Sequence, residues 1–239
     1  MKSLVLFALV IAAANLHADL PLTAHWDFSK ESTNSVDGKY KMDFRGSSEI
    51  VTVNGEKALL PGKTTGSTPS GIMCVGKFKG LSPVGAFRIE TEVSFNEPTS
   101  NRTFMVLYDT KNVTYTSKSP TDNIGILFYV SRDFKRKDFV LGISCGDGSK
   151  SFNARGKWTP CQFGKKYLLS VEYDPAGMVT FSIDGKKTTD KSAFGGSLAE
   201  GIRRPVIGDR CGSSYAPFDG HIYWMKLYSE PVQSEGKKK

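Results

Sequence analysis

The segment Arg88-Ile89-Glu90-Thr91-Glu92 is the first place in this 239-residue chain where residue type and spacing could do chemistry. In an extended strand alternate side chains share a face, so Arg88, Glu90 and Glu92 stand together. Two neighbouring glutamates could act as acid and nucleophile in glycoside cleavage, which asks for carboxyls about 5–5.5 Å apart. A solvated strand face has the same sequence signature. Histidine chemistry is scarce, because the chain holds only His17, His25 and His221. His17 falls in a leader expected to be removed, which excludes a three-histidine metal site and leaves a Ser-His-Asp triad dependent on His25 or His221. No G-x-S-x-G, H-E-x-x-H, P-loop or C-x-x-C spacing occurs.

Sugar recognition needs an aromatic platform with hydrogen-bonding groups beside it. Trp158 in Gly156-Lys157-Trp158-Thr159-Pro160 and Tyr215 in Cys211-Gly212-Ser213-Ser214-Tyr215 sit among turn-forming residues. Asp147, Asp209 and Arg210 occupy similar loop contexts and supply polar contacts in this reading, whereas Trp26 and Trp224 lie inside alternating runs and read as core. The run Arg132-Asp133-Phe134-Lys135-Arg136-Lys137-Asp138 is the densest basic patch and reads as a hairpin loop. Its Arg132, Lys135, Arg136 and Lys137 suit a sulfated or uronic polysaccharide, with plain solvation as the alternative.

The elements that position these residues follow from composition and punctuation. Hydrophobic residues make up 39% of the chain and aromatics 11%, too many for disorder. Leu4–Ala14 is an uncharged aliphatic run behind Lys2, short for a membrane span and suited to a signal peptide, residues 1–18, cut after Ala18. Export disfavours nucleic acid as a partner, and no membrane span follows the leader. The formal charge is +8 at pH 7, of which Lys237, Lys238 and Lys239 form part of a basic tail at 233–239. Residues 19–232 have one texture: short Val, Ile, Phe, Tyr and Thr runs broken by Gly, Pro, Asn and Asp, which predicts an all-β sandwich or barrel in one domain. The clearest unit is the hairpin Tyr167–Ile183, turning at Asp174-Pro175-Ala176-Gly177 and followed by the Asp184-Gly185 turn. Phe87–Phe95, Thr103–Tyr108, Ile124–Val130, Phe139–Ser144, Pro205–Ile207 and His221–Tyr228 read as further strands, and Ser197–Gly201 as a short helical turn.

Cys74, Cys145, Cys161 and Cys211 are an even number, so export predicts at least one disulfide, with three connectivities open for two bridges. Cys145–Cys161 is favoured because two β-runs flank a short excursion there; closing about 15 residues would stabilise the fold by about 3 kcal/mol. Asn101-Arg102-Thr103 and Asn112-Val113-Thr114 are glycosylation sequons if the source is a eukaryote.

The ending resembles the closing strands of laminin-G-like jelly-roll domains of the concanavalin A-like lectin/glucanase superfamily. The matching residues are Ile207-Gly208, Phe218-Asp219-Gly220, Ile222 and Tyr228. The hairpin Lys166–Lys186, the start His25-Trp26-Asp27-Phe28 and the segment Val53–Gly62 match as well, in family order. The resemblance implies two antiparallel sheets packed face to face, with ligands on the concave sheet or its rim. Glucanases of this superfamily carry Glu-x-Asp-x-Glu on one strand, and that triple is missing here. The Arg-x-Glu portion is similar to an alginate-lyase strand, but Glu92 stands where such lyases have a second arginine. Many relatives bind calcium through loop oxygens, which makes the loops around Asp147, Asp209 and Asp219 candidate calcium sites, although none forms D-x-D-x-D-G. The reading is an exported, non-catalytic domain that binds a carbohydrate or an extracellular surface. A secreted polysaccharide hydrolase or lyase using Glu90 and Glu92 is the alternative, and a scaffold without a small-molecule site is the third. Oligomeric state is left open.

Export is checked by expressing the whole chain behind its own leader and weighing the secreted product. A mature N-terminus at Asp19 is expected; an intact Met1 terminus on folded protein would remove the leader assignment.

Overall fold

Alternating apolar and polar residues assemble two sheets in this computed structural model, which describes residues 20–62, 68–98, 103–111, 123–133, 135–191, 195–212 and 215–231. The expected leader, Asn101, Asn112 and the tail at 233–239 lie outside the described residues. The first sheet contains β1 (Leu22–Asp27), β3 (Glu49–Val53), β4 (Glu56–Leu60), β6 (Phe87–Phe95), β12 (Lys166–Asp174), β13 (Met178–Ile183), β14 (Lys186–Lys191) and β16 (Gly220–Ser229). Its order is β14-β13-β12-β6-β16-β4-β3, with β1 also paired to β16. The second sheet contains β2 (Lys41–Phe44), β5 (Ile72–Val75), β7 (Phe104–Asp109), β8 (Ile126–Asp133), β9 (Asp138–Gly146), β10 (Ser151–Arg155), β11 (Thr159–Pro160) and β15 (Val206–Ile207). Its order is β10-β9-β8-β7-β15-β5-β2, with β11 on the flank of β9. The fold is an antiparallel two-sheet β-sandwich, as the strand texture predicts.

One face of each sheet supplies the core. Ile89, Val93 and Phe95 of β6, Leu169, Val171 and Tyr173 of β12, and Phe181 of β13 are buried in one cluster with Phe128, Val130, Phe139, Leu141 and Ile143 of β8 and β9. Phe95, Phe139 and Tyr167 pack ring on ring across it, with centroids 4.8–5.7 Å apart. The Asp174–Gly177 turn closes as its sequence demands: Gly177 takes φ +92° and the Ala176 amide donates to Asp174 Oδ1 at 2.8 Å. Asp184 and Gly185 both adopt positive φ, the conformation of a two-residue hairpin turn. The exposed edge strand β14 carries Lys186, Lys187 and Lys191, charges that discourage pairing with another chain.

Four expectations are corrected. Arg132 belongs to β8, opposite Phe139, and not to a loop; it is buried. Its Nη2 donates to Asp219 Oδ2 at 2.7 Å and its Nη1 to the Asn96 carbonyl at 3.2 Å, an ion pair tying the second sheet to the start of β16. Trp224 lies on the outer face instead of the core. A register shift between Ile222 and Trp224 inserts an extra residue, so Ile222 and Met225 both point inward while Tyr223 and Trp224 face out. All four cysteines are free thiols. The Cys161 amide bonds the Lys137 carbonyl beside the start of β9, whereas Cys145 sits near its end. At ~3.3 Å per residue the run from Lys137 to Cys145 covers about 26 Å, and a disulfide allows ~7 Å between Cα atoms. Burial pushes the Cys161 thiol up to about 11, so it stays protonated at neutral pH. Residues Ser197–Gly201 form an extended strap, with the Leu198 amide on the Val84 carbonyl and Ala199 on Gly146, so the expected helical turn is absent.

The Arg132–Asp219 pair generates a stability prediction. Asp219→Ala leaves a buried guanidinium without its counter-ion and is expected to cost about 3 kcal/mol. Adding Arg132→Met should recover part of that loss, measured by urea unfolding; strictly additive losses would show that the pair is not coupled.

Candidate functional site

The carboxylates that open the enzymatic reading lie on the outer face of the first sheet. Arg88 Nε holds Glu90 at 3.0 Å, and Lys166 Nζ holds Glu92 at 3.0 Å while also pairing with Glu56. The aromatic rings on this face are capped by cations as well. Arg88 lies 4.4 Å from the Tyr228 ring centroid, Lys166 3.9 Å from that of Tyr223, and Lys226 5.0 Å from that of Trp224. A groove of about 410 Å³ crosses the face beside Asp27, Glu56, Glu92, Tyr223 and Trp224. Lys166 holds its Glu56 and Glu92, Glu31 holds its Lys57, and its rings already have cations over them. His221, on the same face, contacts Ser94 Oγ through Nδ1 at 3.3 Å, and burial holds its imidazole below its ordinary value. Ser94 is itself buried and Asp219 is bound to Arg132, so these three residues do not form a hydrolytic triad.

Asp209 and Arg210, expected as sugar contacts, are buried and brace the loop between β15 and β16. Asp209 accepts the Ser70 amide at 2.8 Å and the Ala216 amide at 2.7 Å. Burial pushes its carboxyl above the usual range, and those two amides hold it down in part. Arg210 Nε lies 3.5 Å from Asp109, whose carboxylate also accepts the Cys211 and Lys111 amides. Tyr215 is half-buried in this region, with the Arg45 guanidinium 5.6 Å from its ring centroid. Asp147 caps the β9–β10 turn, accepting the Ser149 and Lys150 amides at 2.7 Å each. Each proposed calcium carboxylate is thus engaged by the protein itself. Among the described residues, no group of three or more His, Cys, Asp or Glu side chains is placed to hold a metal ion.

Trp158 is the proposed platform that the fold presents to solvent, at 46% exposure. It lies in the connection from β10 to β11, far along β9 from Asp147: Thr159 pairs with Phe139, while Asp147 follows the last residue of β9. The expected grouping of Trp158, Tyr215, Asp147, Asp209 and Arg210 is therefore not brought together. Its sequence neighbours Lys157 and Thr159, though not Trp158 itself, line a cleft of about 340 Å³ between the edges of the two sheets. Tyr167, Phe181 and Leu141 form its apolar floor, and Thr159, Gln162 and Thr188 bring polar groups to it. Gly156 lets the two edges meet, since a Cβ there would stand 3.1 Å from Thr188 Oγ1 and 3.3 Å from Phe181 Cβ. The Tyr167 hydroxyl anchors the wall by accepting the Gln162 amide at 2.8 Å. Lys165 donates to Asp184 at 2.8 Å and lies 4.4 Å from the Tyr167 ring centroid. That hydrogen bond raises the Lys165 ammonium above its ordinary value. Burial opposes ionisation of Asp184, yet the bonds from Lys165 and the Leu168 amide leave it below its ordinary value. Both stay charged at neutral pH.

Neither a protein-family model nor a curated protein matches the chain. Solved structures share its fold. Domain 4 of AbnA, an extracellular GH43 arabinanase from Geobacillus stearothermophilus solved with arabinotriose, aligns over 90% of this chain and 95% of that one, at 18% identity and TM-score 0.57. The binding domain of botulinum neurotoxin DC, solved in complex with SialylT, aligns over 89% of this chain and 48% of that one, at 10% identity and TM-score 0.57. The binding domain of Paraclostridial Mosquitocidal Protein 1 does so over 89% and 49%, at 11% identity and TM-score 0.59. The chain spans about half the length of the last two. At these identities the likeness is one of fold, a jelly-roll-like sandwich.

Sequence reasoning singled out Trp158 through its Gly- and Pro-flanked context but not the residues that line the cleft, among them Lys157, Lys165, Lys186 and Gln162. Their common signal was position before the start or just after the end of the hairpin Tyr167–Ile183. Among the three tryptophans, Trp26 is fully buried and Trp158 the most open. Trp158→Phe is therefore expected to remove most acrylamide-quenchable tryptophan fluorescence and leave the melting temperature within about 2 °C, as befits a surface change. Unchanged quenching would place Trp158 inside the protein.

Proposed function

We propose that this chain is an exported, non-catalytic carbohydrate-binding domain of the laminin-G-like kind, which takes its ligand in the edge cleft beside Trp158. The observation that carries this reading is a cleft floored by Tyr167 and Phe181 and edged by Thr159, Gln162 and Thr188. A sugar ring presents apolar C–H faces and hydroxyl edges together, and such a mixed lining meets both. The AbnA domain solved with arabinotriose and the neurotoxin binding domain solved with SialylT lend support from the same fold. Export is supported by the Leu4–Ala14 run behind Lys2. The absence of catalysis is supported by the ion pairs on Glu90 and Glu92, which occupy the two carboxylates a glycosidase would need free.

The test is a screen of the mature chain against immobilised glycans and insoluble polysaccharides, with reducing-sugar release followed in parallel. Binding without product is expected. Gln162→Ala/Thr188→Ala should weaken it about tenfold, the scale for losing two hydrogen-bonding groups from a binding site. Sugar release that disappears in Glu90→Gln/Glu92→Gln would replace this reading with the hydrolase or lyase one.

A further inference from the structure

Charge is distributed unevenly between the two candidate surfaces of the molecule. On the outer face of the first sheet, Arg88, Lys166 and Lys57 each contact a carboxylate within 4 Å: Glu90, Glu92 with Glu56, and Glu31. The cleft lining holds three lysines, Lys157, Lys165 and Lys186, against one carboxylate, Asp184, which Lys165 already engages. Among the described residues no carboxylate lies within ion-pair distance of Lys157 or Lys186. The basic hairpin reaches the same end of the sandwich: Pro160 pairs with Asp138, and the Cys161 amide bonds the Lys137 carbonyl at 2.7 Å. Strands in a ladder stand about 4.8 Å apart, so Lys135 and Lys137, both exposed and without ion-pair partners among the described residues, continue the cationic rim away from the cleft. Arg136 is half-engaged by Asp133 at 3.6 Å.

Resting on the reading that the cleft binds sugar, we infer that its ligand is a polyanionic glycan, a chain whose sugars carry carboxylate or sulfate groups. One sugar lies against the apolar floor of Tyr167 and Phe181, and its acidic groups meet Lys157 and Lys186. The following sugars run along the hairpin lysines. Several cations aimed at one strip gain most from a ligand that repeats its charge, because a single small anion would release only one of them from competition with salt. The sequence-level expectation of a polyanion at the hairpin is thereby reshaped: Arg132 is removed from it by its ion pair with Asp219, and the cleft lysines are added.

The experiment uses the mature chain and two pairs of polymers that differ only in charge: polygalacturonate against its fully methyl-esterified form, and dextran sulfate against dextran. Affinity is measured across a salt titration. At least one charged polymer is expected to bind about tenfold or more tighter than its neutral partner at low salt and to lose that margin in high salt; which pair shows it separates carboxylate from sulfate. Lys157→Ser/Lys186→Ser should weaken charged-polymer binding about tenfold, two exposed contacts at their usual strength. Lys77→Ser/Lys79→Ser, the same charge change on a loop remote from the cleft, should leave affinity within about twofold, since screening confines exposed charges to ~8–10 Å. Equal, salt-insensitive binding of charged and neutral polymers that still depends on Gln162 and Thr188 overturns the polyanion inference and leaves the cleft reading intact. Equal losses in the two lysine variants overturn it too, since net charge alone would then explain the binding. Binding indifferent to Gln162→Ala/Thr188→Ala, or no binding to any polymer, defeats the cleft reading beneath it.

Discussion

Each sheet of this protein has one face that water would penalise, and only the other sheet can cover it. Burying aliphatic and aromatic side chains returns roughly 25 cal/mol per Å² of apolar surface. The layer of Ile89, Val93, Leu169, Phe181, Phe128, Leu141 and Ile143 is therefore what holds the sheets face to face. Every functional argument inherits this constraint. Residues on the outer faces are free to vary in chemistry, and residues at the edges, where the sheets end and the layer stops, are where a cleft can open.

The polar groups inside the molecule serve the same architecture. Arg132 and Asp219 link β8 to the start of β16, and Asp109 and Asp209 hold the backbone amides of the loop between β15 and β16. A buried carboxylate without such partners would be costly, so a short Asp-Arg-Cys sequence in a loop becomes a brace instead of a ligand site. The outer face of the first sheet solves a different problem. Its Arg88–Glu90 and Lys166–Glu92 pairs, with cations lying over Tyr223, Trp224 and Tyr228, satisfy that surface internally. The edge cleft keeps two lysines, Lys157 and Lys186, beyond ion-pair distance of any carboxylate among the described residues, and that imbalance is why it stands out as the place for a ligand.

Strand identity was legible from the sequence wherever alternation was long. Phe87–Phe95 is a strand with the bounds its pattern predicts, and Tyr167, Leu169, Val171 and Tyr173 all turn inward as written. The Asp174–Gly177 and Asp184-Gly185 turns were legible because few residues tolerate those backbone angles. Trp224 was misread because one bulged residue reverses the phase of β16, and nothing in His221-Ile222-Tyr223-Trp224-Met225 marks where the extra residue falls. Arg132 was misread because a basic run looks continuous in sequence although β8 carries its first residue into the interior.

The sequence alone determined the all-β class, the main hairpin and which strand faces are apolar, because side-chain alternation and turn chemistry are local properties of the backbone. Tertiary structure alone decided which loops become neighbours. Cys145 and Cys161 are 16 positions apart in the chain yet sit beside opposite ends of one strand, whereas Lys157 and Lys165 from two connections and Lys186 from the start of β14 converge on one cleft. That difference follows from how an extended chain behaves. It carries neighbours in sequence about 3.3 Å apart per residue, and only the pairing and packing of strands brings distant positions back within reach.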